Sequence, residues 1–209
     1  YTKLIFKIKT KLILSNSETI NICLNKNKFL EFCKINKIDY PSEKYKKKMI
    51  AKPIFGRGSK NIFVTKNKFD YEFFKSKKDY ITQQYIDGKE YTIDCLFDSN
   101  GNLIFGLPRL RIVHRGVSII GKIVKNNTLI KYVKNLSKKL EFNGPINIQV
   151  ILDKNKKIWI LEVNPRLSGS IEFSIKAGFN PLLYYKKNKK KRFNSIKYNK
   201  IFKRFYALN

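Results

Sequence analysis

The sequence predicts a mixed α and β chain whose strands come as antiparallel pairs. Residues 144–164 alternate apolar and polar on either side of Asp153-Lys154-Asn155-Lys156, the period-2 pattern of half-buried strands joined by turn chemistry. Asp87-Gly88 sits between the strand-like YITQQYI and YTIDCLF, and this dipeptide is a common hairpin turn. Residues 26–36 and 128–142 instead carry apolar side chains at helical spacing.

Each element has its own signal. Residues 1–25 hold the strand-like runs LIFKI and KLILS and then ETINICL, too few residues for an independent α/β domain. Asn25 is a suitable N-cap for the helix at 26–36, whose apolar face is Phe29, Leu30, Phe32 and Cys33. MIAKP then reads as a strand running into Ile54-Phe55-Gly56-Arg57-Gly58-Ser59, with NIFV as its partner. A helix over 69–77 leads to the strand at 80–86, and YTIDCLF forms the strand at 90–97. Asp98-Ser99-Asn100-Gly101 is a turn, residues 103–107 are a further strand, and PRLRIVHRGVS follows. Leu129, Tyr132, Val133, Leu136 and Leu140 share one face of the helix at 128–142. Beyond Ser170 a helix over 171–177 stops at Gly178, Pro181 opens another, KKNKKKRF reads as a solvated linker, and KIFKRFYAL is strand-like.

Composition narrows the class. The 209 residues are 43% hydrophobic, enough for one sizeable core or two small lobes. No apolar run approaches a membrane span and no signal peptide is visible, so a cytoplasmic protein without membrane contact is expected. The opening at Tyr1 suggests a fragment of a longer product. Cys23, Cys33 and Cys95 have no metal or disulfide spacing and read as reduced thiols. Lys and Arg number 45 against 15 Asp and Glu, a net charge of +30. Such charge points to polyanions, but the lysines are spread over the whole chain amid Asn, Ile, Phe and Tyr. Nucleic acid is therefore not the expected partner.

One stretch carries chemistry. Glu162 and Asn164 are two apart on a strand, so their side chains point the same way, and Ile158 and Ile160 are expected on that face too. If the strands pair across the turn, Gln149 lies beside them at about the same height. One carboxylate and two amide oxygens suit Mg²⁺, which leaves its other positions to water and phosphate. Arg166 follows beyond Pro165, and a guanidinium beside a metal site is what a transferring phosphoryl group needs. Upstream, the backbone of Gly56-Arg57-Gly58-Ser59 can approach phosphate oxygens, although the loop lacks the GK[ST] ending of a Walker A motif.

Asn147-x-Gln149 on one strand and Glu162-x-Asn164-Pro165-Arg166 on the next resemble the metal-binding strands of the ATP-grasp superfamily. The synthetase domains of the carbamoyl phosphate synthase large subunit and its shorter stand-alone relatives are the nearest likeness. Other segments resemble the family in the same order. Lys28, in NKNKFLEFCKINKIDYP, stands where a basic residue reaches the nucleotide phosphates. Lys52-Pro53 with Gly56, Arg57, Gly58 and Ser59 resembles the phosphate-covering loop, with Arg57 a departure from its glycine-rich pattern. QQYIDGKEYTID resembles the hinge, where the backbone of Tyr85 and Ile86 would pair with adenine, Gln83 or Gln84 would assist, and Glu90 would accept from ribose hydroxyls. His114 and Arg115 fall in the segment beside nucleotide and acceptor, with Arg109, Arg111 and Arg115 as candidate anion ligands.

The resemblance implies an α+β ATP-grasp fold, two lobes of antiparallel sheet with helices, preceded by the truncated end of an α/β domain. The expected divisions are that remnant at 1–25, a linking helix at 26–44, a small lobe at 45–86, and a large lobe at 87–209 with a basic C-terminal segment. The implied activity is an ATP- and Mg²⁺-dependent (or Mn²⁺-dependent) carboxylate–amine ligase working through an acyl phosphate. Its metal would sit on Gln149, Glu162 and Asn164, with Lys52, Arg115 and Arg166 catalytic. The implied partners are ATP, a small carboxylate or bicarbonate-like acceptor, an amine, and a second copy or another chain supplying the missing N-terminal domain. Two alternatives stand beside it, a degenerate non-catalytic nucleotide-binding remnant and a basic nucleic-acid-binding module.

Overall fold

The computed structural model describes residues 12–56, 60–185, 193 and 195–205, without the side chains of Arg115 and Tyr185. Two short helices open it. Helix α1 (Ser17–Leu24) is the segment ETINICL, which follows the strand-like runs in sequence but is helical because Asn16 caps it, accepting from Thr19 N at 2.7 Å. Asn25 is extended, ends α1 and caps α2 (Lys26–Ile35) by accepting from the N–H groups of Asn27 and Lys28.

The first sheet is small and antiparallel. Strand β1 (Met49–Pro53) lies between β2 (Phe63–Thr65) and β3 (Tyr80–Gln84), and helix α3 (Lys68–Ser76) connects the two outer strands. Ile50 stands opposite Gln83, and Lys52 opposite Ile81.

The second sheet has six strands. Its members are β4 (Gly88–Phe97), β5 (Leu103–Arg115), β6 (Val117–Ile123), β7 (Gly144–Asp153), β8 (Ile158–Asn164) and β9 (Ile201–Lys203). Their order is β8-β7-β4-β5-β6-β9, every neighbouring pair antiparallel. Strand β5 runs through Pro108 instead of ending at residue 107. Pro108 has no N–H to give, but its carbonyl accepts from Val124 N at 3.0 Å, so the strand continues. The stretch PRLRIVHRGVS is thus most of a β5–β6 hairpin, turned at Gly116 with φ +74°. The helix expected over 128–142 is shorter, as α4 (Asn127–Leu136), although Leu140 and Phe142 remain buried beyond it.

The main core lies between one face of the large sheet and helices α1, α2 and α4. Ile93, Cys95, Ile146, Ile148, Val150, Ile160 and Val163 meet Phe29, Cys33, Leu129, Val133 and Leu136 there. On the opposite face Leu96, Leu107 and Ile123 are covered by Ala177, Phe179 and the C-terminal segment, near helices α5 (Ile171–Lys176) and α6 (Pro181–Tyr185). The rest of that face is polar.

Candidate active site

The polar face is built by the β4–β7–β8 ladder. Thr92 stands opposite Gln149, Asp94 opposite Asn147, Gln149 opposite Glu162 and Asn147 opposite Asn164. Strict alternation would put Ile160 and Glu162 on one face. A bulge prevents this: Val150 pairs with Ile160 while Gln149 pairs with Glu162, so Leu161 is the extra residue. Ile160 and Val163 therefore both enter the core, while Glu162 and Asn164 both face the other way. The expected face shared by Ile158, Ile160 and Glu162 is corrected by that single insertion.

Thr92, Asn147, Gln149, Glu162 and Asn164 form the floor of a cavity of about 1340 Å³ between the two sheets. Lys52 lines it from β1, and Gln84, Tyr85 and Ile86 line it where the chain crosses from one sheet to the other. Asn164 Nδ2 donates to Glu162 Oε1 at 2.9 Å, and Arg166 Nη2 donates to Asn164 Oδ1 at 3.3 Å. Arg111 Nη1 donates to Gln149 Oε1 at 3.0 Å. Withdrawal from water pushes Lys52 down from 10.5 to about 8, with Glu162 and Glu90 pulling it back up. Burial lowers Lys26 as well, against the attraction of Glu162.

The expected residues divide into several groups. Lys52, Gly56, Gln84, Tyr85, Ile86, His114, Gln149, Glu162, Asn164 and Arg166 all line the cavity. Gln83 also lines it, but its amide is tied to the Pro41 carbonyl at 3.1 Å. Lys28 does not line it: its ammonium donates to Asn21 Oδ1 at 3.2 Å. Lys26, two residues earlier, lines the cavity and donates to the carbonyls of Ile54 at 3.3 Å and Gly56 at 3.4 Å. Asn25 starts the helix at residue 26, and this phase turns Lys26 inward.

Glu90 lines the cavity with both oxygens engaged. Oε1 pairs with Arg111, and Oε2 lies 3.3 Å from His114 Nε2. Burial and Arg111 together lower the His114 pKa, and Glu90 opposes them. Arg109 is fully buried and binds Asp94 at 3.2 Å, so it is a structural cation and not an open anion ligand. Asp94 also accepts from Ser174 Oγ at 2.5 Å and from Asn147 Nδ2 at 3.2 Å. The sequence signal missed here was an aspartate at the polar phase of an otherwise apolar strand. Arg57, Gly58 and Ser59 lie outside the described residues, as does the Arg115 side chain.

Among the described residues no cluster of three or more His, Cys, Asp or Glu side chains could hold a metal. The donor set here is of another kind, one carboxylate with the amide oxygens of Gln149 and Asn164. Oxygen donors with a single carboxylate suit Mg²⁺, which would take its other ligands from phosphate and water.

A family model described as "ATP-grasp in the biosynthetic pathway with Ter operon" matches residues 76–202. The carbamoyl phosphate synthase large chain of Agathobacter rectalis is 30% identical over 165 residues, 71% of this chain and 15% of the relative. That of Thermoanaerobacter sp. is 26% identical over 212 residues, 87% of this chain and 20% of the relative. The chain thus spans a fifth or less of the length of these curated relatives. Among solved structures, the biotin carboxylase domain of the Hydrogenobacter thermophilus 2-oxoglutarate carboxylase, in complex with MgADP, ADP and bicarbonate, matches with a TM-score of 0.70. Identity is 15%, covering 95% of this chain and 53% of that one. No helix among the described residues is long and apolar enough to cross a membrane.

Proposed function

The chain belongs to the ATP-grasp family and has its fold, and on that premise we propose that it is an ATP-dependent carboxylate–amine ligase working through an acyl phosphate. The observation that carries this reading is the convergence of Gln149, Glu162, Asn164 and Arg166 on the cavity floor, with Lys52 lining the same cavity from the other sheet. The three-stranded sheet acts as the lid and the six-stranded sheet as the floor.

Tyr85 and Ile86 receive the base, and Lys26 and Lys52 hold phosphate oxygens. Gln149, Glu162 and Asn164 hold Mg²⁺, which neutralises phosphate charge when bound. Arg166 stabilises the transferring group through its guanidinium. A carboxylate oxygen of the acceptor attacks the γ-phosphorus, the bond to ADP breaks, and an acyl phosphate forms. The amine nitrogen then attacks the acyl carbon, phosphate leaves, and the nitrogen gives up a proton. No enzyme nucleophile is required. Glu90 is positioned by Arg111 and His114, and the remaining lone pairs of its carboxylate accept from the ribose hydroxyls.

The test is thermal unfolding with a non-hydrolysable ATP analogue, with and without Mg²⁺, for wild type and Glu162→Ala. Ligand at a hundred times its Kd stabilises by about 2.7 kcal/mol. A Mg²⁺-dependent shift that disappears in Glu162→Ala is expected. A chain that ignores nucleotide but is stabilised by DNA or RNA in a salt-sensitive way would overturn the reading.

A further inference from the structure

The cavity wall beyond Arg166 holds polar side chains that the nucleotide and metal do not use. Ser118, near the start of β6, and Ser168 and Ser170, in the loop after Arg166, all line it. Their exposures are 2%, 9% and 4%. The two segments approach closely at Gly169, where a Cβ would come within 2.9 Å of Val117 Cγ1. Arg204, just past β9, holds the loop from outside by donating to the Gly169 carbonyl at 2.8 Å.

Each of these hydroxyl oxygens is already an acceptor. Arg109 Nη1 donates to Ser118 Oγ at 2.6 Å, and its Nη2 reaches Ser168 Oγ at 3.5 Å. Ser118 N donates to Ser170 Oγ at 2.9 Å. A hydroxyl also has one proton to give. None of these three protons has an acceptor among the described residues. Buried donors normally find acceptors, so a wall that carries three unspent ones is matched to an acceptor group arriving from the cavity. A guanidinium donating into a hydroxyl polarises it and strengthens its outward O–H. Arg109 thus acts through Ser118 and Ser168 while its own charge is balanced by Asp94. An incoming ammonium is disfavoured, because these oxygens already receive protons from a cation or a backbone N–H. An oxyanion is favoured, because it brings lone pairs and no donors.

We propose that Ser118, Ser168 and Ser170, backed by Arg109, form a subsite that binds a carboxylate of the acceptor acid through neutral hydroxyl donors. The assignment rests on the ligase reading for the acid's role as acceptor, but not for its binding.

Acetate and succinate are suitable probes. Their effect on melting is measured against sodium chloride of equal ionic strength, with and without Mg²⁺ and the ATP analogue. Wild type, Ser168→Ala and Ser170→Ala are compared. Ser168 is the safer variant, since its hydroxyl makes only the 3.5 Å contact to Arg109. The expected result is a carboxylate-specific shift in wild type that needs about tenfold more acid in each variant, the loss of one charge-assisted hydrogen bond. The Mg²⁺–nucleotide shift should persist in Ser168→Ala, which also reports that the variant is folded. Carboxylates no better than chloride in wild type under both conditions, or an unchanged acid dependence in Ser168→Ala, would overturn the subsite. A carboxylate shift that depends on the serines in a protein with no nucleotide shift upholds the subsite and sinks the ligase reading alone.

Discussion

Gln149 and Glu162 face each other across the β7–β8 ladder, whereas the next residue of β7, Val150, meets Ile160 and leaves Leu161 without an opposite. The bulge lets one strand give Ile160 and Val163 to the core while it gives Glu162 and Asn164 to the cavity. Deleting Leu161 would make Ile160 and Glu162 consecutive, so the pairs Val150–Ile160 and Gln149–Glu162 continue as an ordinary ladder and all four side chains keep their faces. The loss of stability should stay well below the several kcal/mol that an ionised carboxylate turned into the apolar core would cost. The Mg²⁺-dependent nucleotide shift should persist. Urea unfolding followed by Trp159, the sole tryptophan and three residues from Glu162, reads the stability directly. A deletion variant that loses several kcal/mol and the Mg²⁺ effect would show that the extra residue does more than reset the alternation.

Lys52 brings a pH dependence. It releases its proton near 8 in the folded chain, whereas a free lysine holds it to 10.5. Between those values the unfolded chain binds more protons, so the contribution of Lys52 to stability rises with pH. Below about pH 8 its half-buried, poorly hydrated charge is a net cost, so Lys52→Met should melt higher than wild type there. That advantage should shrink between pH 8 and 10.5. Nucleotide affinity should move the other way, falling as pH rises through 8 because a neutral amine attracts phosphate less. Titration of binding in wild type and Lys52→Arg tests this, since the arginine should remove the fall.

Asp94 and Arg109 are a buried pair at 2% and 0% side-chain exposure. Asp94→Ala leaves the guanidinium charge unmatched and should cost about 3–5 kcal/mol. Replacing both, as Asp94→Leu with Arg109→Met, should cost less than Asp94→Ala alone. Denaturant unfolding of both variants decides, and a more damaging double substitution would mean the pair contributes more than mutual neutralisation.

Lys26 and Lys28 separate cleanly. Lys26 holds the carbonyls of Ile54 and Gly56, and Lys28 is occupied by Asn21. Lys26→Ala should weaken Mg²⁺–nucleotide binding about tenfold, the scale of one charge-assisted contact. Lys28→Ala should leave binding within error. Calorimetric titration of the two variants gives the comparison, and the reverse ranking would restore Lys28 to the site.

Short-range patterns along the chain were enough for the antiparallel class, the two strands that carry Gln149, Glu162 and Asn164, and the family likeness around them. Period-2 alternation, the Asp153–Lys156 turn chemistry and the Asn caps are local signals, because backbone conformation follows from neighbours a few residues away. Asp87-Gly88 closes no hairpin, since β3 and β4 lie in different sheets and Gly88 opens β4. Packing between distant elements sets which way each side chain turns at the irregular points. The Leu161 bulge depends on a core that needs both Ile160 and Val163. The inward turn of Lys26 depends on where Asn25 starts α2. The partners of Glu90, Arg111 and His114, come from β5, more than twenty residues away in the chain. The buried join of Asp94, Arg109, Ser118, Ser168 and Ser174 draws on β4, β5, β6, the loop after β8 and α5. Hydrogen-bond partners so far apart in the chain leave no periodic trace, because their pairing is set by packing between elements and not by spacing along them.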